Sequence, residues 1–270
     1  MSPVPVVGPQ RPDVPAALMV GRVELRAEPS VQQDLAEALR QERTLYAWAA
    51  HQPQARALRG RAPVYVAVLP TSGERVVVRH AWHGGLLAPI TGDRFRRPTR
   101  APREYHLSRA LREAGVPTTA LVGYAVYPAG PGFARVDVVS RYLPEAVDLA
   151  TILSGHAPGF PIPSVLEATA DLLATLARHG IVHPDLNGKN ILICPRGDGG
   201  CHALVIDVDV IAWDPSQPMQ LTLERNVRRL ARSLRKAQRR GESRLSAAAL
   251  ADFATRVHAI ADCPATPSPA

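Results

Sequence analysis

The hydrophobic pattern of this chain changes near residue 144, and that change constrains its fold more than any other feature. Before it, runs rich in β-branched residues at 64–69, 76–79, 120–127 and 135–141 are separated by turn residues, which predicts antiparallel strands. After it, apolar residues recur at helical spacing over long segments. We therefore predict an α+β fold of two lobes, with a small antiparallel β-sheet carrying a helix in the first lobe and mostly helices in the second.

Three segments follow from this division. Residues 1–29 are rich in proline and lack periodicity, so we expect a mobile N-terminal arm. Residues 30–143 form the predicted N-lobe, and residues 144–270 form the predicted helical C-lobe. In the N-lobe a capping box of Ser30 and Gln33 predicts the start of a helix that continues to about Ala50. Further helices are predicted at residues 103–114, 164–179, 222–240 and 246–261.

The composition indicates a globular protein. Of the 270 residues, 46% are hydrophobic and 21% are charged, which does not fit a disordered or fibrous chain. No apolar stretch approaches the ~20 residues of a membrane span, and the first ten residues lack the pattern of a secretory signal. Three unevenly spaced cysteines form neither a disulfide framework nor a zinc pattern, so we expect a cytoplasmic protein.

The charge balance is basic and comes almost entirely from arginine. The chain has 32 Lys and Arg residues against 24 Asp and Glu residues, a formal net charge of +8, and only Lys189 and Lys236 are lysines. Such a surface favours anionic partners, namely nucleic acid, phosphorylated small molecules or an anionic membrane leaflet. No helix-turn-helix, RNA-binding or zinc pattern occurs in the sequence, so we do not expect nucleic-acid binding. A coding bias toward arginine would explain exposed arginines equally well.

The residues that indicate a chemistry lie between a helix and a short strand. His183, Asp185 and Asn190 have the spacing H-x-D-x-x-x-x-N, and Asp207 follows a later apolar run, 22 residues after Asp185. Phosphoryl transfer requires a carboxylate that accepts the proton of the attacking hydroxyl. It also requires an Asn and an Asp whose oxygens hold Mg²⁺ against nucleotide phosphates. An ordinary polar loop would explain Asp185 and Asn190 but not the acid after the next strand.

This segment resembles the lipopolysaccharide kinases that phosphorylate Kdo (3-deoxy-D-manno-octulosonic acid), which have a protein-kinase-like fold. His-Pro-Asp-Leu-Asn-Gly-Lys-Asn-Ile-Leu at residues 183–192 is similar to that family's H-x-D-L-N-x-x-N-I-L. The resemblance covers roughly residues 60–234. Its other matches are Val-Arg-His at 78–80, Gly-Gly-Leu at 84–86, Asp-Arg-Phe at 93–95, the segment from Arg-Glu-Tyr at 103–105 to Gly-Val-Pro at 115–117, and Ile-Asp-Val-Asp at 206–209.

The resemblance implies roles for the residues of this segment. Asp185 would be the catalytic base, and Asn190 and Asp207 would be the Mg²⁺ ligands. His183 would brace the catalytic loop by hydrogen bonds. Lys189 would reach the γ-phosphate of ATP, or would point to solvent.

In the N-lobe, the resemblance implies that Glu104 pairs with a strand cation that contacts the α- and β-phosphates of ATP. This cation is normally lysine, and Arg79 is the residue with the matching position. Arginine can make these contacts, and the alternative is an arginine exposed at a strand end. Gly60 would belong to a loop that covers the phosphates, and the adenine would bind near residues 141–145.

Two departures from protein kinases favour a small-molecule kinase over a regulated protein kinase. Val208 and Asp209 stand where Phe and Gly normally follow the metal-binding Asp, which argues against a flipping regulatory switch. No Ala-Pro-Glu segment follows them.

Two basic segments suggest how an anionic acceptor would be recognised. The helix predicted at 222–240 has one apolar stripe and eight basic residues, so its polar face would either contact an anionic membrane or remain in solvent. Arg94, Arg96, Arg97 and Arg100 would bind the carboxylate of Kdo or lipid A phosphates, or would form a solvated loop.

The function predicted from these observations is an ATP-dependent sugar kinase. It would use Mg²⁺ and transfer the γ-phosphoryl group to a hydroxyl of Kdo in the inner core of lipopolysaccharide, on Kdo–lipid A. We would expect it in the cytoplasm, with peripheral contact at the cytoplasmic face of the inner membrane. The alternatives are a kinase of another small hydroxyl acceptor, such as a heptose, an aminoglycoside or choline, and a non-catalytic pseudokinase scaffold.

Overall fold

The computed structural model describes residues 15–58, 63–82 and 92–262. Gly60 and the glycines of 84–86 lie outside these residues. The chain divides into two compact units. One comprises the described residues of Arg11–Ala110 and Thr119–Tyr142, and the other those of Leu111–Thr118 and Leu143–Ala270.

The first unit is built on an antiparallel sheet. Its strand order is β1-β2-β7-β8-β5-β4-β3, with β6 paired to β8, so eight strands lie within the described residues. The strands are β1 (Leu18–Val20), β2 (Val23–Ala27), β3 (Arg56–Leu58), β4 (Val64–Val68), β5 (Arg75–His80), β6 (Phe95–Arg96), β7 (Leu121–Pro128) and β8 (Phe133–Arg141). Three helices accompany them, α1 (Pro29–Gln41), α2 (Leu45–His51) and α3 (Ala101–Glu113).

Side chains of this sheet alternate between two hydrophobic clusters, because successive residues of a strand point to opposite faces. Val78 packs in the cluster that contains Leu35 and Trp48 of α1 and α2. Tyr124 packs in the cluster that contains Tyr105 of α3. Arg79, the residue after Val78, therefore projects on the face that carries α3.

The N-terminal segment differs from its prediction. Residues 15–29, predicted to be part of a mobile arm, contain the strands β1 and β2 and the first residue of α1. Leu25 and Ala27 are fully buried, and β2 pairs with β7 from Glu24 opposite Val126 onward. This pairing satisfies backbone groups that a proline-rich arm would leave to solvent. Residues 1–14 lie outside the described residues.

The first predicted helix also differs. It starts at Pro29 rather than at the predicted capping box, and no side-chain cap is formed there. The helix ends at Gln41, and Thr44 then caps a separate helix by accepting a hydrogen bond from the amide of Ala47. A side-chain cap of this kind satisfies one of the free amides at a helix start, so it stabilises the break.

The second unit is mostly helical. Its strands form two small sheets: one of β9 (Val147–Asp148), β11 (Ile191–Pro195) and β12 (Cys201–Val205), and one of β10 (Ile181–Val182) and β13 (Ala212–Trp213). The helices are α4 (Leu149–Leu153), α5 (Ile162–Arg178), α6 (Met219–Arg239) and α7 (Ala247–Asp262). The antiparallel sheet of one unit and the helices of the other confirm the predicted α+β class. None of the helices in the described ranges is long and apolar enough to cross a membrane.

Gly180 allows the chain to turn from the end of α5 toward the predicted catalytic loop. Gly180 has a left-handed backbone with φ of 65°, and a Cβ at this position would collide with the carbonyl oxygen of Asp214. Glycine alone therefore allows the helix to end here and β10 to begin at Ile181. Five apolar residues in the last turns of α5, from Leu172 to Ala177, are buried, and the helix ends directly after them.

A buried polar network connects the strands of the first unit. Asp137, which is fully buried in β8, accepts hydrogen bonds through Oδ2 from the Tyr127 hydroxyl at 2.8 Å and from the amide of Tyr46 at 2.9 Å. Its Oδ1 lies 2.5 Å from Nδ1 of His80, and Nε2 of His80 lies 3.2 Å from Asp93. Asp93 in turn forms an ion pair with Arg135 at 2.6 Å.

Burial lowers the pKa of His80, but the hydrogen bond to Asp137 and the charges of Asp137 and Asp93 outweigh it, so the pKa is raised above 6.5. The native state therefore binds the His80 proton more tightly than the unfolded chain does. We expect His80 to add stability that is fully present below about pH 6.5 and is lost as the pH rises through the raised pKa. Chemical unfolding of the wild type and of His80→Gln across this range would measure it. A difference in unfolding free energy that stays constant or grows with pH would contradict the assignment.

Candidate active site

The predicted catalytic loop lies between β10 and β11 in the helical unit. The carbonyl oxygen of Asp185 accepts hydrogen bonds from the side-chain amides of Asn187 at 2.8 Å and Asn190 at 2.9 Å. Asn187 also caps the short 3₁₀ helix Gly188–Asn190 by accepting a hydrogen bond from the amide of Lys189. Two asparagines thus fix the backbone that carries the Asp185 carboxylate.

His183 braces this loop from inside the unit. Its ring is fully buried, and Nε2 lies 3.1 Å from the carbonyl oxygen of Ile206, the residue before Asp207. Its backbone amide donates to Oδ1 of Asn226 at 3.0 Å, and Nδ2 of Asn226 donates to the carbonyl of Ile181 at 2.8 Å. His183 therefore links the loop to the Asp207 segment and does not present its ring to solvent.

Asn190 and Asp207 lie at the same end of the hairpin formed by β11 and β12. Ile191 pairs with Val205, and the amide of Ile206 continues the ladder by donating to the carbonyl of Asn190 at 3.0 Å. Asp207 is exposed and has a left-handed backbone with φ of 63° and ψ of 45°. A non-glycine residue held in this region is strained by about 1 kcal/mol or more, and such strain is concentrated at functional sites.

The donor set of this hairpin end fits Mg²⁺. The side-chain amide nitrogen of Asn190 is used by Asp185, which leaves Oδ1 as the ligand atom, and Asp207 adds a carboxylate. Mg²⁺ prefers such oxygen donors and is commonly held by one or two protein groups together with water and phosphate oxygens. Within the described ranges, no group of three or more His, Cys, Asp or Glu side chains could hold a metal ion on its own. The ion would therefore depend on phosphate and water for its remaining ligands.

The predicted ion pair of the sheet unit is formed. Nη2 of Arg79 on β5 lies 2.6 Å from Oε1 of Glu104 in the first turn of α3. The Glu104 side chain is 11% exposed, whereas that of Arg79 is 41% exposed, so the guanidinium remains accessible to solvent. The structure thus brings together the two residues that the resemblance placed at the ATP phosphates.

The described site residues share their pattern with a known family. Residues 33–255 match the sequence profile of the Lipopolysaccharide kinase (Kdo/WaaP) family. The chain belongs to this family.

Its relatives carry the name "3-deoxy-D-manno-octulosonic acid kinase". One from Stenotrophomonas maltophilia is 34% identical over 62% of this chain and 63% of its own length. Another from Xanthomonas oryzae pv. oryzae is 32% identical over 60% and 62%, and one from Pasteurella multocida is 30% identical over 61% and 67%. The chain therefore spans about three-fifths of the first two relatives. The match to a solved structure described as WaaP in complex with acyl carrier protein covers 87% of this chain and 98% of that one, at 20% identity and a TM-score of 0.45.

Sequence reasoning missed a further residue at the site of this family member. Nη2 of Arg229 on α6 lies 2.6 Å from Oδ1 of Asp185, and the two side chains are 38% and 46% exposed. Arg229 lies three residues after Asn226, so both project from one side of α6 and hold the same loop. Nothing in the sequence of α6 singles out Arg229, because it is one of several basic residues on the polar side of this helix.

The remaining predicted residues are less tightly held. The side chain of Lys189 is exposed, and among the described residues it has no polar partner. Arg94, Arg96, Arg97 and Arg100 are all exposed on the sheet unit. Val208–Val210 form a 3₁₀ helix directly after Asp207, with Val208 buried.

The amide of Asn226 is expected to stabilise the loop measurably. Asn226→Ala leaves the amide of His183 and the carbonyl of Ile181 buried without partners, which costs about 2–3 kcal/mol of unfolding free energy. Chemical denaturation would measure the loss. Ser233→Ala on the same helix serves as the control and should change stability by less than about 0.5 kcal/mol. Equal effects of the two substitutions would show that the amide does not hold the loop.

Proposed function

We propose that this chain is an ATP-dependent kinase that transfers the γ-phosphoryl group to a hydroxyl of Kdo on Kdo–lipid A. The observation that carries the proposal is the catalytic loop, which holds Asp185 and Asn190 and joins Asn190 by a backbone hydrogen bond to the Asp207 segment. The family is one of lipopolysaccharide kinases, and the relatives are named Kdo kinases. We place the acceptor as Kdo on the strength of those names.

In this proposal Asp185 is the catalytic base. Its Oδ1 is held by Arg229, so Oδ2 is the oxygen that accepts the proton of the acceptor hydroxyl as the new P–O bond forms. The hydrogen bonds from Asn187 and Asn190 to the Asp185 carbonyl keep this carboxylate in position. His183 keeps the loop in register with the Asp207 segment.

Asn190 and Asp207 are proposed to hold Mg²⁺ through their side-chain oxygens. When bound, Mg²⁺ neutralises the negative charge that develops on the phosphoryl oxygens. In the sheet unit, Arg79 contacts the α- and β-phosphates while Glu104 keeps its guanidinium in place. Lys189 remains the candidate for the γ-phosphate and Gly60 for the covering loop.

The proposal includes peripheral contact with the cytoplasmic face of the inner membrane. Its support is the net charge of +8 together with the exposed arginines between Arg94 and Arg100. Kdo–lipid A is anchored in that leaflet and carries carboxylate and phosphate groups, so a basic surface would favour its approach.

The decisive experiment is mass spectrometry of Kdo–lipid A incubated with Mg-ATP and the protein. We expect the gain of one phosphate with the wild type. Asp185→Asn keeps the size of the side chain but removes the base, so transfer should fall about 10²–10⁴-fold while Mg-ATP still raises the melting temperature.

Asp198→Asn is the matched control, because it removes the same charge from an exposed turn between β11 and β12. It should transfer phosphate at the wild-type rate. Phosphate gain with another hydroxyl acceptor but none with Kdo would keep the kinase and change its substrate. Absence of transfer and of any Mg-ATP stabilisation would favour the pseudokinase scaffold.

Arg79 is expected to act on ATP and not on the acceptor. Arg79→Ala should raise KM for ATP at least about tenfold, since a charge-assisted contact to phosphate is lost, and should leave KM for the acceptor unchanged. Arg79→Lys should recover part of the loss. Steady-state kinetics would be compared with Arg22→Ala, an exposed arginine in the turn between β1 and β2 of the same sheet. An unchanged KM for ATP in Arg79→Ala would contradict the proposed role.

A further inference from the structure

Arg229 is the one basic residue of α6 that the structure shows in contact with the catalytic loop, among the residues described. Its Nη2 donates a hydrogen bond to Oδ1 of Asp185. Its Nε is buried and has no hydrogen-bond partner among the residues that the structure describes. A guanidinium has five N–H donors in a fixed fork, so pairing with Asp185 leaves most of them unused.

The pair with Asp185 is weak enough to be shared with a ligand. Both side chains are more than a third exposed, and ion pairs of this kind contribute only about 0–1 kcal/mol. A planar carboxylate or phosphate can instead bind an arginine through two parallel hydrogen bonds, which are stronger than a single exposed contact. A ligand anion beside Asp185 would therefore engage Arg229 readily.

The acceptor is the ligand that must lie there. If Asp185 takes the proton of the acceptor hydroxyl, that hydroxyl lies within hydrogen-bond distance of the same carboxylate that Arg229 contacts. An acidic substituent on the same sugar, or on the neighbouring one, is then within reach of the guanidinium.

The basic charge continues along α6 on the side that carries Arg229. Arg225, Arg232 and Lys236 lie four residues before, three after and seven after it, which places all four on one face of the helix. All three are exposed, and Glu224 is the only acidic residue of α6. The structure thus presents a row of cations, defined by these four residues, in which Arg229 contacts the carboxylate of Asp185.

We propose that this row is the acceptor site, and that Arg229 binds an anionic group of the acceptor while it remains beside Asp185. The inference rests on the proposed kinase function and deepens it, because it assigns the preference for an acidic sugar to one residue. The ligand chemistry is a carboxylate or a phosphate monoester. On Kdo–lipid A these are the Kdo carboxylate and the phosphates of lipid A.

The test compares acceptors that differ in one anionic group. Steady-state kinetics would be measured with Kdo–lipid A, with its carboxyl methyl ester and with its dephosphorylated form. Arg229→Gln should raise KM for the intact acceptor about 10-fold or more, as expected when a charge-assisted contact is lost. KM for ATP should stay within about twofold, and Arg229→Lys should recover part of the acceptor affinity.

The acceptor on which the effect of Arg229→Gln disappears identifies its ligand group. Loss of the effect with the ester assigns the carboxylate, and loss with the dephosphorylated form assigns a phosphate. Arg228→Gln is the matched control, because Arg228 is a neighbour on α6 that is 72% exposed and lies 4.0 Å from Glu224. It should behave as the wild type with every acceptor.

Three results would overturn the inference while leaving the kinase intact. They are an equal rise of KM on all three acceptors, a rise of KM for ATP in place of the acceptor, and an equal effect of Arg228→Gln. If the wild type transfers no phosphate to any of the three acceptors, the proposed function fails. A binding measurement then tests the proposed acceptor site independently of catalysis. Calorimetric titration would then compare the wild type with Arg229→Gln, using Kdo–lipid A and its carboxyl methyl ester. If the site exists, Arg229→Gln binds the free acid more weakly than the wild type does. If the site does not exist, the two proteins bind it equally.

Discussion

The organisation of the candidate site depends on one buried side chain, the amide of Asn226. Its oxygen accepts from the backbone of His183, and its nitrogen donates to the backbone of Ile181. Both bonds are made away from water, where an unpaired polar group is costly, so they hold the start of the loop firmly against α6. From that anchor, His183 reaches the Asp207 segment and Arg229 reaches Asp185. The proposed base, the segment of the proposed metal ligand Asp207 and the cation of Arg229 are thus connected to a single helix.

Much of the fold follows from local periodicity. The strands at Val64–Val68 and Arg75–His80 and the long helices α5 and α6 agree with the sequence pattern within a few residues. The strands β1 and β2 could not be found this way, because they are short and lie in a proline-rich segment. Strand β1 pairs with β2, and β2 is stabilised by pairing with β7, about a hundred residues later. The break between α1 and α2 was also missed. A single threonine that can cap a helix is a weak signal in the sequence, and the apolar residues continue at helical spacing across it.

The candidate site shows the same difference between local patterns, which the sequence reveals, and contacts between distant residues, which it does not. Asp185 and Asn190 are separated by five residues and recognised by spacing, whereas the contact of Asp185 with Arg229 joins residues 44 apart. Nothing in the helical pattern of α6 distinguishes Arg229 from its basic neighbours, because all of them lie on the polar face. The substitution of arginine for the usual lysine at Arg79 was recognised only by its position on a strand. Its pairing with Glu104 was implied by the resemblance, and it forms because Arg79 of β5 and the helix α3 lie on the same face of the sheet.

The left-handed backbone of Asp207 has a consequence for how this chain can change over evolution. At φ of 63° a glycine would relieve the strain at no steric cost, so the fold itself favours glycine at this position. Glycine would also remove the carboxylate, which is one of the two side chains that we propose as ligands of Mg²⁺. If Asp207 is the metal ligand that we propose, one substitution to glycine would therefore raise stability and abolish catalysis together. In a chain that carries glycine at the position of Asp207, the backbone would be relaxed and the proposed Mg²⁺ site would lack its carboxylate.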